Sequence, residues 1–364
     1  QRITVYSGRG STWQETYFDG LGRTIQVHQR GNGTQETRTT ATYNALGQVE
    51  KQYAPYFGTQ GENSNQYVAP AGGLAYTTSQ YDAAGRVVRV INADGTSSYA
   101  MPNGFGTTAI DANLHWTTSR SDALGRLVAV VQEGTTSVQD EFGSLNSSLW
   151  QYNSYQSISS GTLMNTGTGS SYDANFYRKE SSLQRGEAVQ VEFKVDRTDT
   201  SAHFSIETSD GGIGRRWGII ADSGGIRAQY NDGGGWMYPA FLIKPIEVNQ
   251  WYVLRLMLHE DGVFTAEVWK RDNRAVSGRC QWMPSGGTNW RFHSWIYRGH
   301  AWLDNYREFR LDTTSYTYDV VGNLTKVTDA RGNETTMVYD ALGRKTAMND
   351  PDMGCLLYTS DAAD

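Results

Sequence analysis

Acidic residues with a regular spacing are the first candidates for chemistry. Glu192 and Asp196 lie four positions apart in the alternating stretch AVQVEFKVD, residues 188–196, so both project from the same face of a strand. Hydrolysis of a glycosidic bond uses two carboxyl groups that lie about 5 Å apart in retaining enzymes. No third acid follows on that strand, so we predict a solvated strand face and assign no catalytic residue.

Other catalytic and cofactor patterns are missing from the sequence. The six histidines are scattered, without the HxxxH or HExxH spacing of zinc hydrolases. The segment GGIGRRWG, residues 211–218, is rich in glycine but lacks the strand and helix that a phosphate-binding loop requires. The two cysteines, Cys280 and Cys355, indicate neither a metal site nor a disulfide framework. We therefore expect that no cofactor is required.

Aromatic side chains are better candidates for binding, because sugar rings stack on aromatic rings while their hydroxyl groups need polar partners. Nine of the eleven tryptophans lie between residues 136 and 313. The glycine run in NDGGGWMYP, residues 231–239, predicts a loop or strand rim. The predicted carbohydrate-binding residues are Trp236, Tyr238, Arg215, Trp217, Trp290 and Trp295. The predicted core tryptophans are Trp150, Trp251, Trp269 and Trp302.

Charge and hydropathy exclude two classes of partner. The net charge is -6 and no basic stripe is visible, which argues against nucleic acid. No stretch is apolar for the roughly 18 residues of a membrane span. Glu141 and Asp304 are the candidate ligands of a structural calcium ion, because hard oxygen ligands suit Ca²⁺ and the two residues could meet on neighbouring strands.

A short phrase recurs along the chain. It is written FDGLGR at 18–23, YNALGQ at 43–48, YDAAGR at 81–86, SDALGR at 121–126, YDVVGN at 318–323 and YDALGR at 339–344. Asp319 and Asp340 are 21 positions apart, and Asp82 and Asp122 are 40 apart, close to two such periods. A fixed period of this length is typical of stacked repeats.

The phrase predicts a β-hairpin. Tyrosine ends one strand, aspartate bonds to the backbone of the turn, glycine takes the positive φ, and residues such as RVVRVI begin the next strand. The predicted structural residues of the repeat are Tyr81, Asp82, Gly85, Arg86, Tyr318, Asp319, Gly322, Tyr339, Asp340, Gly343 and Arg344. Stacked hairpins of this kind predict a long, curling sheet.

The repeats stop between the fourth and fifth phrases. We predict repeats over residues 1–135 and 314–364, the second stretch truncated, and an inserted domain over residues 136–313 in a loop between two repeats. The insertion requires that its two ends lie close together. Alternating stretches such as WYVLRLMLH and VFTAEVWKR, joined by the tight turn EDG, predict an all-β sandwich of the jelly-roll type.

The repeated phrase resembles the YD repeats of Rhs and teneurin-like proteins. The resemblance implies part of a hollow β-shell in a secreted or cell-surface protein, with a C-terminal toxin enclosed in the parent chain of many members. Four segments of the insert resemble a concanavalin A-like lectin or glucanase domain of the laminin-G type: DEFGSLNSSLW, SGTLMNTG, NQWYVLRLML and AWLDNYREFR. That second resemblance implies a binding or carbohydrate-active fold.

Two functions remain open from the sequence. The first is a non-catalytic scaffold whose lectin-like insert adheres to glycans or to a cell-surface protein. The alternative is a glycoside hydrolase or polysaccharide lyase that uses Glu192, Asp196 or Glu267 of the insert. A domain that only spaces the shell is a third, plainer option.

Overall fold

The described part of the chain consists of strands and turns. The computed structural model describes residues 2–7, 12–30, 34–59, 67–104, 106–169, 174–180, 183–208, 215–283 and 289–357. Within these ranges there is no helix, so none that is long and apolar enough to cross a membrane. The predicted all-β fold class is confirmed.

The strands before the insertion are short and follow each other at close spacing. They are β1 (Arg2–Ser7), β2 (Thr12–Phe18), β3 (Thr24–Arg30), β4 (Gln35–Tyr43), β5 (Val49–Tyr53), β6 (Tyr56–Thr59), β7 (Tyr76–Tyr81), β8 (Val87–Ile91), β9 (Ser97–Asn103), β10 (Gly106–Ile110), β11 (Trp116–Ser121) and β12 (Leu127–Asp140).

The strands of the insertion and of the second repeat stretch complete the chain. They are β13 (Trp150–Gln151), β14 (Gln156–Ser159), β15 (Thr162–Thr168), β16 (Asn175–Arg178), β17 (Glu187–Val195), β18 (Ala202–Thr208), β19 (Arg216–Asp222), β20 (Gly225–Asn231), β21 (Trp236–Met237), β22 (Phe241–Ile243), β23 (Tyr252–Leu258), β24 (Phe264–Lys270), β25 (Ser277–Trp282), β26 (Trp290–Ile296), β27 (Arg298–Tyr318), β28 (Leu324–Thr328), β29 (Glu334–Tyr339), β30 (Lys345–Asp350) and β31 (Gly354–Leu357).

The chain divides into two compact units. The first comprises Gln1–Pro102 and Ala109–His115, and the second comprises Asn103–Thr108 and Trp116–Asp364. In the first unit β1, β2, β3 and β4 pair in order as antiparallel neighbours. Strand β4 then pairs with β6 through its first half and with β5 through its second half, and β5 continues the ladder to β7, β8 and β9.

The turns of the repeat share one hydrogen-bonding pattern. In the turn at Asp82, the backbone N–H of Asp82 donates to the carbonyl of Arg86, and the N–H of Gly85 donates to the carbonyl of Asp82, both at 3.0 Å. The Asp82 carboxylate accepts the backbone N–H of Arg86 at 2.9 Å and its Nε at 2.8 Å. Hydrogen bonds from Arg86 hold the pKa of Asp82 below its ordinary value. The phrase is therefore a self-contained turn in which each of its polar residues has a partner.

In the repeats whose phrase begins with tyrosine, that tyrosine bonds to the repeat before it. Its hydroxyl donates to the carbonyl of the first residue in the strand that follows the previous turn: Tyr43 to Thr24 at 2.7 Å, Tyr81 to Val49 at 2.8 Å and Tyr339 to Leu324 at 2.9 Å. This contact explains why tyrosine precedes the aspartate.

The second unit contains the insertion, and its boundary does not lie in a loop as predicted. Strands β12 and β27 run through the boundary and pair with each other on both sides of it, with Val131 opposite Thr313 and Asp140 opposite Tyr306. The ends of the insertion are therefore neighbours, as insertion requires. Strand β27 then pairs with β28, which continues the repeat ladder to β29, β30 and β31.

The insertion is a sandwich of two antiparallel sheets. The first sheet has the order β14, β15, β27, β17, β23, β24, β25. The second has the order β13, β16, β26, β18, β19, β20, β21, with β22 also paired to β20. Alternate residues from both sheets meet in one core, where the rings of Phe193 and Phe204 lie 4.4 Å apart.

The outer face of the first sheet packs on repeat residues of the same unit. Glu267 is 1% exposed and accepts a hydrogen bond from Thr108 Oγ1 at 2.8 Å. Its second carboxylate oxygen lies 3.3 Å from Arg255, whose guanidinium lies 4.0 Å from the centre of the Trp116 ring. Burial lowers the pKa of Arg255 to about 10, so this arginine is still charged at neutral pH. The sandwich is thus joined to the repeats by a buried hydrogen bond and a buried cation–π contact as well as by two strands.

Candidate functional site

The second sheet of the sandwich presents polar and aromatic residues on the face turned away from the core. In β18, Phe204 and Ile206 enter the core while His203, Ser205 and Glu207 project to the other side. In β26, Phe292 enters the core and Arg291, His293 and Trp295 alternate with the core positions. Because β18 and β26 are paired neighbours, these outward residues form one surface.

This surface holds a pocket of about 390 Å³. Its lining residues come from β13, from the loop after it and from β16, β18, β19 and β26: Gln151, Tyr152, Asn153, Asn175, Tyr177, Glu207, Arg216, Arg291 and His293. All of these side chains carry hydrogen-bonding groups, and two of them are tyrosines, so the pocket suits a polar ligand with flat apolar faces.

Glu207 organises the charges in the pocket. One carboxylate oxygen accepts Arg291 Nε at 2.9 Å and Arg291 Nη2 at 2.7 Å. The other accepts Arg216 Nε at 2.8 Å. The Arg291 guanidinium also lies 4.1 Å from the centre of the Tyr177 ring, which fixes the plane of both groups.

Two buried histidines lie in the same face and are uncharged at neutral pH. His293 is 2% exposed, and its Nε2 lies 3.1 Å from Asn175 Oδ1. His203 is 3% exposed, with Nδ1 2.8 Å from Gln229 Oε1. Burial holds the pKa of His293 well below 6.5 and lowers the pKa of His203 to about 3. Their role in the pocket is therefore hydrogen bonding rather than charge.

An aromatic stretch extends this surface. The ring of His203 stacks on Trp295, with centroids 3.4 Å apart and planes 14° apart. The ring of Trp236 lies 5.7 Å from the same histidine. The structure therefore brings together two of the tryptophans that the sequence predicted as binding residues.

Two more predicted binding residues lie at the edge of this sheet. Tyr238 is 43% exposed, and the guanidinium of Arg227 lies over its ring, 4.5 Å from the ring centre. Arg215 immediately precedes β19, and its neighbour Arg216 is the arginine that lines the pocket. The strand register therefore turns Arg216, and not the predicted Arg215, toward the pocket.

Trp217 and Trp290 correct the sequence prediction. They are 0% and 3% exposed, and their rings lie 3.7 Å apart within the hydrophobic core. Both residues occupy inward positions of β19 and β26, so neither ring is available to a ligand on the outer face. Trp150 and Trp269, predicted to be core residues, are buried.

The carboxylates considered for catalysis lie away from the pocket lining. Glu192, on β17 of the first sheet, pairs with Arg271 at 2.9 Å. Asp196 accepts the backbone N–H of His300 at 2.9 Å. Glu267 is the buried residue that contacts the repeat strands. Each of these groups has a structural partner.

The candidate calcium ligands, Glu141 and Asp304, lie close enough to interact electrostatically. Burial raises the pKa of Asp304, and the nearby charges of Glu192 and Glu141 contribute to this shift. Within the described ranges, no three or more histidine, cysteine, aspartate or glutamate side chains are arranged to hold a metal ion. Two carboxylates alone supply fewer oxygens than the about six to eight that Ca²⁺ takes, so the calcium site stays a prediction.

The predicted binding residues include none of the residues that line the pocket. Missing from the prediction are Gln151, Tyr152, Asn153, Asn175, Tyr177, Glu207, Arg216, Arg291 and His293, and also His203 of the aromatic stretch. The alternation HxSxE in β18 and RxHxW in β26 was the available signal, because it predicts two polar faces. Nothing in that alternation indicates that the two strands are neighbours.

Family models match both repeat stretches. The model of the RHS repeat matches residues 312–334 and 318–352. The model of a domain of unknown function, DUF6443, matches residues 2–99. A search of curated proteins finds no match.

Solved structures resemble the whole chain or the insertion alone. The structure of TcdB2-TccC3-Cdc42 is 13% identical with a TM-score of 0.28, and the match covers 95% of this chain and 19% of that one. A Bacillus licheniformis beta-glucanase is 12% identical with a TM-score of 0.35, and the match covers 49% of this chain and 98% of that one. An endo-beta-1,4-glucuronan lyase from the fungus Trichoderma reesei is 12% identical with a TM-score of 0.34, covering 48% and 96%.

Proposed function

The chain is an RHS repeat protein with an inserted β-sandwich, and from this premise we propose that the sandwich is a non-catalytic carbohydrate-binding module carried by the repeat scaffold. The observation that carries the proposal is the pocket on the outer face of the second sheet, together with the aromatic stretch beside it. Secretion or display at a cell surface, and a toxin in the parent chain, stay predictions from the resemblance.

The chemistry of this face matches that of a sugar. A pyranose ring has an apolar face of C–H groups and a rim of hydroxyl groups that both donate and accept. Trp236 and Tyr177 supply rings, and Asn175, Gln151 and the arginines supply polar partners. A glycan that spans several residues would contact both the aromatic stretch and the polar pocket.

The partners of Glu207 favour binding over hydrolysis. Glu207 is the one carboxylate among the lining residues that the structure describes, and arginines bond to both of its oxygens. Hydrolysis needs a second carboxyl group at about 5 to 10 Å. A carboxylate held between two cations is also poorly suited to donate a proton, because the cations favour its ionised form.

Calorimetric titration of the full chain with a panel of neutral and acidic oligosaccharides tests the proposal. We expect at least one glycan to bind, and Trp236→Ala to weaken that binding by about ten-fold, the loss expected for one ring contact. Trp302→Ala is the matched control, because Trp302 projects from the first sheet beside Lys194. A flat titration with every glycan would remove the carbohydrate-binding role.

A polysaccharide lyase is the second candidate, favoured by one observation. Tyr177, His293 and two arginines surround the same pocket. Elimination beside a uronate carboxyl needs a base and positive neighbours but no pair of carboxylates. Incubation with polyuronates would reveal a lyase as an increase in ultraviolet absorbance from the unsaturated product, abolished in Tyr177→Phe. Absence of that absorbance, with binding intact, leaves the non-catalytic module.

A further inference from the structure

The charge of the pocket differs in sign from that of the protein. Three of its lining residues are charged at neutral pH, namely Arg216, Arg291 and Glu207. The lining residues that the structure describes together carry one net positive charge, whereas the whole chain carries a net charge of -6. A positive pocket in an acidic protein is a local arrangement and does not follow from composition.

Glu207 leaves donor groups of both arginines free. It uses Nε of Arg216, and Nε and Nη2 of Arg291. Both terminal nitrogens of Arg216 and Nη1 of Arg291 have no hydrogen-bond partner in the described part of the chain. The side chains are 27% and 24% exposed, so these donors are accessible from the pocket.

These donors are held in place before any ligand binds. Each guanidinium is fixed at Nε by Glu207, and the Arg291 plane lies over Tyr177. Fixing a donor in advance lowers the entropy lost on binding. A planar guanidinium presents two parallel N–H groups, which match the two oxygens of a carboxylate.

A buried ring nitrogen lies beside the same carboxylate. His293 Nδ1 is buried without a hydrogen-bond partner in the described ranges, 3.7 Å from Glu207 Oε2. With Nε2–H donating to Asn175, Nδ1 carries no proton and adds no charge beside Glu207. The polar groups that the pocket offers to an anionic ligand are therefore the N–H groups of the two arginines.

We propose that the pocket recognises a carboxylate-bearing sugar residue, a uronic acid, through the free N–H groups of Arg216 and Arg291. This inference rests on the proposed carbohydrate-binding function and names its ligand class. A sulfate ester shares the negative charge and also offers two oxygens to a guanidinium, so a sulfated sugar is the competing ligand that the test must distinguish.

The test compares sugars that differ only in charge. The full chain is titrated with oligomers of galacturonate, mannuronate and glucuronate, each beside its methyl ester, and with a sulfated oligosaccharide. We expect one free acid to bind about ten-fold tighter than its ester, the value of one charge-assisted contact, with the preference shrinking in high salt. Arg216→Gln is expected to remove the preference, and Arg216→Lys to keep part of it.

Arg227→Gln is the matched control, because Arg227 lies on the same sheet, outside the pocket, paired with Asp222. It should leave the preference for the acid unchanged. Thermal unfolding of each variant shows that it is folded. Equal binding of acid and ester, or tighter binding of the sulfated sugar, overturns the uronate inference and leaves carbohydrate binding intact. Binding of neither form, nor of any neutral glycan, overturns the proposed function itself.

Discussion

The hydroxyl group of Tyr318 donates a hydrogen bond to the backbone carbonyl of Leu127 at 2.8 Å, across 191 positions of sequence. Leu127 is the first residue of the strand that follows the fourth turn of the repeat, and Tyr318 precedes the fifth turn. Tyr43, Tyr81 and Tyr339 make the same contact with the repeat immediately before each of them. The repeat therefore continues across the insertion with its ordinary contact.

The arginine of each of two turns contacts the tyrosine of the next repeat. The guanidinium of Arg126 lies 4.9 Å from the centre of the Tyr318 ring, as that of Arg23 lies 4.5 Å from Tyr43. A ring held at its hydroxyl and over its face has one position relative to the previous turn. This explains how a repeat sheet accepts a large sandwich without a change in its own geometry.

Tyr318→Phe tests this contact. The substitution removes the hydroxyl and leaves the Leu127 carbonyl without that donor, so we expect the free energy of unfolding to fall by about 1 kcal/mol. Urea denaturation followed by tryptophan fluorescence measures it. Tyr316→Phe is the control, because no hydrogen bond of its hydroxyl occurs within the described part of the chain. Equal losses in the two variants would contradict the fastening role of Tyr318.

Leu114 occupies the place of glycine in a turn with the hydrogen bonds of the repeat. Its φ is 70°, against 81° for Gly47 and 80° for Gly85. A left-handed backbone strains a branched residue, so we expect Leu114→Gly to raise the free energy of unfolding by about 1 kcal/mol. The control is Leu124→Gly, since Leu124 is equally a turn residue but has a negative φ and should lose stability. A fall in the stability of Leu114→Gly would show that the turn is not strained.

Glu267 and Glu192 were both considered as catalytic acids, and their substitution by glutamine should separate their roles. Glu267→Gln leaves Arg255 buried opposite a neutral group, with an expected loss of about 3 kcal/mol. Glu192→Gln removes a pair with Arg271, whose side chain is 46% exposed, with an expected loss of at most about 0.5 kcal/mol. Chemical denaturation of both variants measures the two losses in the free energy of unfolding. Similar losses would mean that the buried pair stabilises the fold no more than the exposed one.

Acid should destabilise the fold through its buried histidines. Burial lowers the pKa of His203 and of His259 to about 3, from 6.5. Between these values the unfolded chain binds more protons than the folded chain, so the free energy of unfolding falls as the pH drops below 6.5. Each histidine contributes a slope of up to about 1.4 kcal/mol per pH unit.

Urea denaturation at about pH 7 and about pH 5 measures this slope. His259→Gln should flatten it, whereas His115→Gln should not, because the His115 side chain is 81% exposed. Parallel curves for all three proteins would exclude His259 as a source of the acid sensitivity.

Local patterns determined the strands and turns of this protein. The turn phrase acts through hydrogen bonds between residues at most four positions apart, as in Asp82 and Arg86, so its geometry is readable from a short segment. The period and its interruption also predicted an insertion between the fourth and fifth phrases. The pairing of β12 with β27 through the boundary could not be predicted from local patterns, because it joins residues about 170 positions apart.

The composition of the pocket was decided only by the tertiary structure. Glu207 meets Arg216 from 9 positions away and Arg291 from 84 positions away because β18 lies between β19 and β26. The same register places Trp217 in the core and Arg216 beside it in the pocket. An alternating strand has two faces, and the sequence alone predicts that they differ. Which face becomes buried depends on where the opposite sheet packs.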